Sequence, residues 1–182
     1  MQEILELTRA LENSSPLPVF IVEEHFLHLR ALVAERQKVA SREDAALFRD
    51  VMRKVYGMPK TVHPEMQVEL ILDIVRYFYV TGLSYEAFEP NSWAERMARL
   101  FGYQHLVVRS LSNAGAFLGD VGNLAGAIEK YSEAIQIAQQ TANAELEGTV
   151  WSNLGVAFYY LAEYQTAAAC SRHAVNLMGA YL

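Results

Sequence analysis

Apolar residues recur at intervals of three and four through almost every long window of the chain, and strict alternation over more than four residues is hard to find. The pattern predicts an all-α protein. A short first helix is read over 2–13 and is stopped by Ser14-Ser15-Pro16-Leu17-Pro18, where two prolines remove backbone donors and fix an extended turn. A second helix spans 19–39. A third, over 41–56, takes Ser41 as its N-cap with Asp44 as a carboxylate near the positive helix end, and stops at Gly57 ahead of Pro59. A fourth begins at His63-Pro64, since proline suits the first turn, and runs to Thr81-Gly82. Leu83 to Pro90 reads as a loop. Asn91 or Ser92 then caps a short fifth helix to Phe101, which Gly102 ends in the left-handed conformation. Four more helices, near 104–119, 123–140, 143–161 and 164–180, are separated by connections of only a few residues, so they fold back as antiparallel pairs.

Self-comparison sharpens this picture. Leu111-Ser-Asn-Ala114-Gly115 lies over Trp151-Ser-Asn-Leu154-Gly155 at an offset of 40, and the same offset puts Leu124 on Tyr164, Ala127 on Ala167 and Ala134 on Ala174. Both helices of each pair are therefore in register, as in a duplicated hairpin. Gly115 and Gly155 let paired helices approach closely, and Ala127 and Ala167 fit the narrow space where the second helix crosses the first. At these residues the sequence resembles the tetratricopeptide repeat family. Trp151, Leu154, Gly155, Phe158, Tyr164, Ala167 and Ala174 fit one copy, and Leu111, Ala114, Gly115, Leu118, Leu124, Ala127, Tyr131 and Ala134 fit the other. Ser171 stands where an aromatic residue is expected, Gly179 and Gln139 stand where the closing proline would be, and the 40-residue period implies lengthened helices. Val68 to Val80 aligns more loosely with Val107 to Gly119, with Arg76 in place of the glycine. Residues 1–60 read as an atypical helical start or cap, 61–103 as a degenerate repeat and 104–182 as two hairpins, all in one continuous domain.

The resemblance implies a right-handed α-solenoid of antiparallel helix hairpins with a concave groove lined by the first helix of each pair. In that register the groove positions are Asp73 and Tyr77, then Arg109, Ser112, Asn113 and Ala116, then Thr149, Ser152, Asn153, Val156, Tyr159 and Tyr160. An asparagine amide offers a donor and an acceptor side by side, which matches the backbone of an extended peptide, and Arg109 could clamp a carboxylate. An asparagine there also serves by bonding to the neighbouring helix or to water. The function implied is a non-catalytic module for a protein or peptide partner, in the manner of regulatory regions of bacterial signalling proteins such as diguanylate cyclases. The alternatives are a homodimerisation or assembly domain and a small-molecule sensor. The last residues, Met178 to Leu182, read as the end of a second helix, which leaves either a piece of a longer protein or a self-association surface.

Composition narrows the remaining classes. The 182 residues carry a net charge of −6, with residues 107–182 holding only six acids and three bases. Nucleic acid calls for a clustered basic face, so it is not an expected partner. The longest apolar run, Val68 to Leu83, contains Glu69, Asp73 and Arg76, which argues against a membrane span. The N-terminus carries Glu3 and Glu6 before any base, the reverse of a secretory leader, and the one cysteine, Cys170, fits a reducing cytoplasmic setting. His25 and His28 sit at i and i+3 on one helix but lack facing ligands, so no metal is expected. Cys170 reads as a small core residue. Gly115, Gly119 and Gly122 read as repeat and turn glycines with no phosphate-loop lysine after them. Glu129, Glu133, Glu145 and Glu147 read as solvated, and neither a cofactor nor an active site is implied.

Overall fold

A computed structural model describes residues 6, 19–39 and 42–179. The predicted first helix over 2–13, its proline stop, the Ser41 cap and residues 180–182 lie outside the described residues, apart from Glu6. Eight helices follow one another among those described, with no strand. They are α1 (Val19–Val39), α2 (Ala45–Gly57), α3 (Pro64–Val80), α4 (Ser84–Phe101), α5 (Gln104–Asp120), α6 (Leu124–Gln140), α7 (Ala144–Tyr160) and α8 (Tyr164–Gly179). The fold is all-α, as the periodicity predicts, and tetratricopeptide-like, as the resemblance implies. The chain divides into two compact units, Met1–Met97 and Ala98–Leu182.

One prediction is corrected. Leu83–Pro90 is not a loop: α4 begins at Ser84 and runs straight through Pro90. A proline inside a helix removes one N–H donor and crowds the preceding turn. Burial overrides that cost, because Ala87, Pro90, Asn91, Ala94 and Ala98 are all buried and recur at three and four along the helix. Ser92 does not cap; its hydroxyl donates back to the Phe88 carbonyl at 3.0 Å.

The register is in fact unbroken from α3 onward. Helix starts fall at 64, 84, 104, 124, 144 and 164, one every 20 residues. The starts at 84, 124, 144 and 164 follow three-residue turns whose middle residue has positive φ, Gly82, Gly122, Ala142 and Ala162, and the start at 104 follows Gly102-Tyr103, where Gly102 has positive φ. At four of these five turns the last residue donates to the carbonyl five positions earlier, as in Leu83 N–H to Phe78 at 2.7 Å and Asn123 N–H to Leu118 at 2.8 Å. This is the Schellman closure of a helix C-terminus. Asn123 and Asn143 then cap the following helices, each accepting at 3.0 Å from the N–H three residues on.

In the first unit α3 is the central helix, with Val68, Leu70, Ile71, Leu72, Ile74, Val75, Tyr77 and Phe78 all buried. A helix that is apolar all round must be covered on several sides. α1 packs on it with Phe26, Leu29 and Val33 buried, and α2 packs on it with Phe48 meeting Tyr77 edge to face at 4.6 Å. In the second unit α5 pairs with α6 and α7 with α8, and α7 also packs on α6 and, more lightly, on α5.

Candidate functional site

The two repeat glycines act differently. A Cβ added at Gly115 would lie 2.6 Å from the ring of Tyr131, so in the first hairpin the missing side chain makes room for an aromatic. A Cβ at Gly155 would lie 3.2 Å from the Ala167 carbonyl and 3.3 Å from both Cys170 Cβ and Ser171 Oγ, so in the second hairpin it lets backbones close up. The small Ser171, where Tyr131 stands one repeat earlier, permits that closer approach. Cys170 is buried there, and burial pushes its thiol pKa up, which leaves a packing residue rather than a nucleophile.

These contacts hold α5 against α6 and α7 against α8. Asn153 on α7 donates from Nδ2 to Ser112 Oγ on α5 at 3.0 Å, a bond between the first helices of successive hairpins. Ser112 is buried, and Arg109, Asn113 and Ala116 are half-buried beside it on α5. On α7 the same repeat positions are open: Thr149, Ser152, Val156, Tyr159 and Tyr160 are exposed. Tyr159 (59% exposed) sits edge-on to Tyr160 (70%) at 6.0 Å and to Tyr164 on α8 at 5.5 Å, a row of three rings at the end of the hairpin.

Asp73 and Tyr77 lie in the first unit and are engaged within it. Tyr77 is fully buried, and Asp73 accepts from Arg30 Nε at 2.6 Å while its backbone carbonyl accepts from Gln37 at 2.7 Å. Arg30 also reaches Glu69 at 2.6 Å, and burial together with these two carboxylates shapes its environment. The repeat register had left this face of α3 open; α1 and α2 cover it. Sequence reading gave no partner for them because residues 1–60 match no repeat.

Glu147, expected from the sequence to be solvated, is instead the centre of a second cluster. Glu147 is largely buried, and its Oε1 accepts from Gln139 Nε2 at 3.0 Å and from Trp151 Nε1 at 3.1 Å, with His173 Nε2 at 3.9 Å. His173 stands edge-on to Trp151 at 4.7 Å. One carboxylate thus ties α6, α7 and α8 together, and Trp151 is half-buried around it. The i, i+4 pairing of Glu147 with Trp151 was the available signal. Among the described residues no group of three His, Cys, Asp or Glu side chains gathers as metal ligands would. No described helix is long and apolar enough to cross a membrane.

The profile of the tetratricopeptide repeat family matches residues 106–180. Those residues are similar to that family. Such repeats are in general protein-interaction modules, and the family is generally non-catalytic. Among solved structures the chain is similar to BtubC (BKLC) from P. vanneervenii, with 18% identity and a TM-score of 0.68 over 97% of this chain and 72% of that one. At that identity the likeness shows the helical-repeat fold. No curated protein matches this chain in sequence.

Proposed function

We propose that the tetratricopeptide repeats bind a protein partner through an extended segment laid along α5 and α7. The observation that carries the reading is the exposed row Ser152, Val156, Tyr159 and Tyr160, with Arg109 and Asn113 half-buried on the adjacent helix. Exposed aromatic side chains clustered on a rigid surface provide large contact area at low entropic cost, which is why tyrosine is enriched where proteins meet. Asn153 has a positioning role in this reading: its bond to Ser112 fixes α7 against α5. The role is that of a scaffold or regulatory module, without chemistry of its own.

Selection of a displayed random-peptide library on the protein tests this. Binders should lose at least about tenfold in affinity in Val156→Ser and Tyr160→Ala, and should be indifferent to Tyr85→Ala, an exposed tyrosine of the first unit. Binders unaffected by both α7 substitutions would remove this face from the account.

A further inference from the structure

The turns of the repeat provide an internal control for which side chains serve the fold. Asn123 and Asn143 each end a turn and cap the next helix. Glu163 takes the same position one turn later, and its backbone is held as firmly: its N–H donates to the Phe158 carbonyl at 3.0 Å, and its carbonyl accepts from Ala167 at 2.9 Å. Its carboxylate has no hydrogen bond or ion pair to any described residue. Glutamate is a poorer N-cap than asparagine, so local stability is given up here, and a local rule broken on a regular frame points to function. Glu163 borders an open hollow of about 420 Å³ lined with Ala162, Tyr164, Gln165 and Thr166. Tyr164, 61% exposed, continues the row of Tyr159 and Tyr160 into it. Val121, Gly122, Asn123, Ala142 and Asn143 are exposed as well, so a turn of this repeat is open whether or not another hairpin follows it. At the other end of the same face Glu145 stands four residues before Thr149, exposed, its carboxylate likewise without a partner among the described residues.

We infer that the partner segment is anchored by an arginine seated at Glu163 against the ring of Tyr164, with a second basic residue near Glu145. This rests on the peptide reading and names the chemistry of the ligand. A carboxylate beside an exposed aromatic ring suits a guanidinium, whose edge donates to the oxygens while its plane stacks on the ring. The turn joins the carbonyl end of α7 to the N–H end of α8, so the two helix dipoles offset each other and the carboxylate sets the local sign. Both charges that bracket the α7 row are acidic, and Arg109 lies across from them on α5. Glu145 and Glu163 are 18 residues apart, roughly 27 Å along a helix, which an extended chain spans in about eight residues. The expected segment is therefore basic at its two ends and apolar between them, where Val156 and the tyrosines lie.

Peptides selected from the displayed library on the full chain test it. Binders should carry an arginine near one end and a second base about seven to nine positions away. Glu163→Asn is the deciding variant, because asparagine restores the cap: it should raise the melting temperature yet weaken such peptides by at least about fivefold. A residue that merely held the turn would not gain stability while losing affinity. Changing the anchoring arginine of the peptide to alanine should cost the natural chain the same factor and cost Glu163→Asn nothing further. Glu145→Gln should weaken binding by a smaller factor, about threefold. Full affinity in Glu163→Asn, or binders with no base at either end, would overturn the inference and leave the peptide reading standing. Binders indifferent to Val156→Ser and Tyr160→Ala would remove both.

Discussion

At the scale of single residues, Gly115 makes the sharpest prediction. Alanine is the better helix former by about 1 kcal/mol, yet its Cβ would strike the Tyr131 ring, and overpacking costs roughly 1–3 kcal/mol. Urea unfolding should therefore show Gly115→Ala destabilised, and pairing it with Tyr131→Leu should restore part of the loss. Cys170 should react slowly with a thiol reagent at neutral pH until the chain unfolds, because burial both shields the sulfur and raises its pKa. In the first unit the Arg49 guanidinium hydrogen-bonds Glu86, reaching Oε1 from Nη2 at 2.8 Å, and holds that carboxyl below its usual range. A depressed folded-state pKa adds stability that is present above the unfolded carboxylate value and is lost as pH falls through the folded one. Acid titration of unfolding should show Glu86→Gln flattening this part of the decline below about pH 4.5, by a small amount since the pair is partly exposed. Gly115 and Asn153 were legible in the sequence because the repeat marks them. That Asn153 is held by Ser112 of the neighbouring helix was not, since that depends on how α5 and α7 pack.

Among elements, the turns carry the most regular information. Gly82, Gly102 and Gly122 supply the left-handed conformation without strain, whereas Ala142 and Ala162 hold φ of 51° and 61° with a Cβ in place. Ala142→Gly and Ala162→Gly should each raise the free energy of unfolding read from urea titration by about 0.5–1 kcal/mol, and Gly122→Ala should lower it by a comparable amount. Position 122 has open space around it, so that loss would be conformational only. α8 buries only Ala167, Cys170 and Ala174, against eight buried residues on α5. Amide exchange should therefore be faster along α8 than along α5. Outside 83–90, helix existence was legible over 19–39 and 42–179 because the apolar spacing is strong. The loop assigned to 83–90 failed for a physical reason: Pro90 was given its local meaning, while the buried stripe on either side of it decided the outcome. The even spacing of Gly82, Gly102 and Gly122 was a signal in plain view that would have placed the helix start at Ser84.

For the whole molecule, the covering of α3 was the part the sequence could not disclose. Repeat matching treats each hairpin as the next in a series, and it has no term for a non-repeating segment such as α1 that lies against one of them. Asp73 and Tyr77 were misassigned for that reason alone. The molecule's acidity gives a further expectation: with a sequence pI near 5.4, solubility should pass through a minimum close to that pH, where net repulsion between copies vanishes. Turbidity across pH 4–8 would check it, and a minimum elsewhere would point to charges held far from their usual values.

The 20-residue beat of helix and turn has a consequence for how such a chain can change length. Coding sequence gained or lost in steps of one whole hairpin leaves every later side chain facing where it did before. A single inserted codon inside a helix instead rotates all that follows by roughly 100° and turns an inward residue out. Variants of this architecture should therefore differ in hairpin number far more readily than in hairpin size.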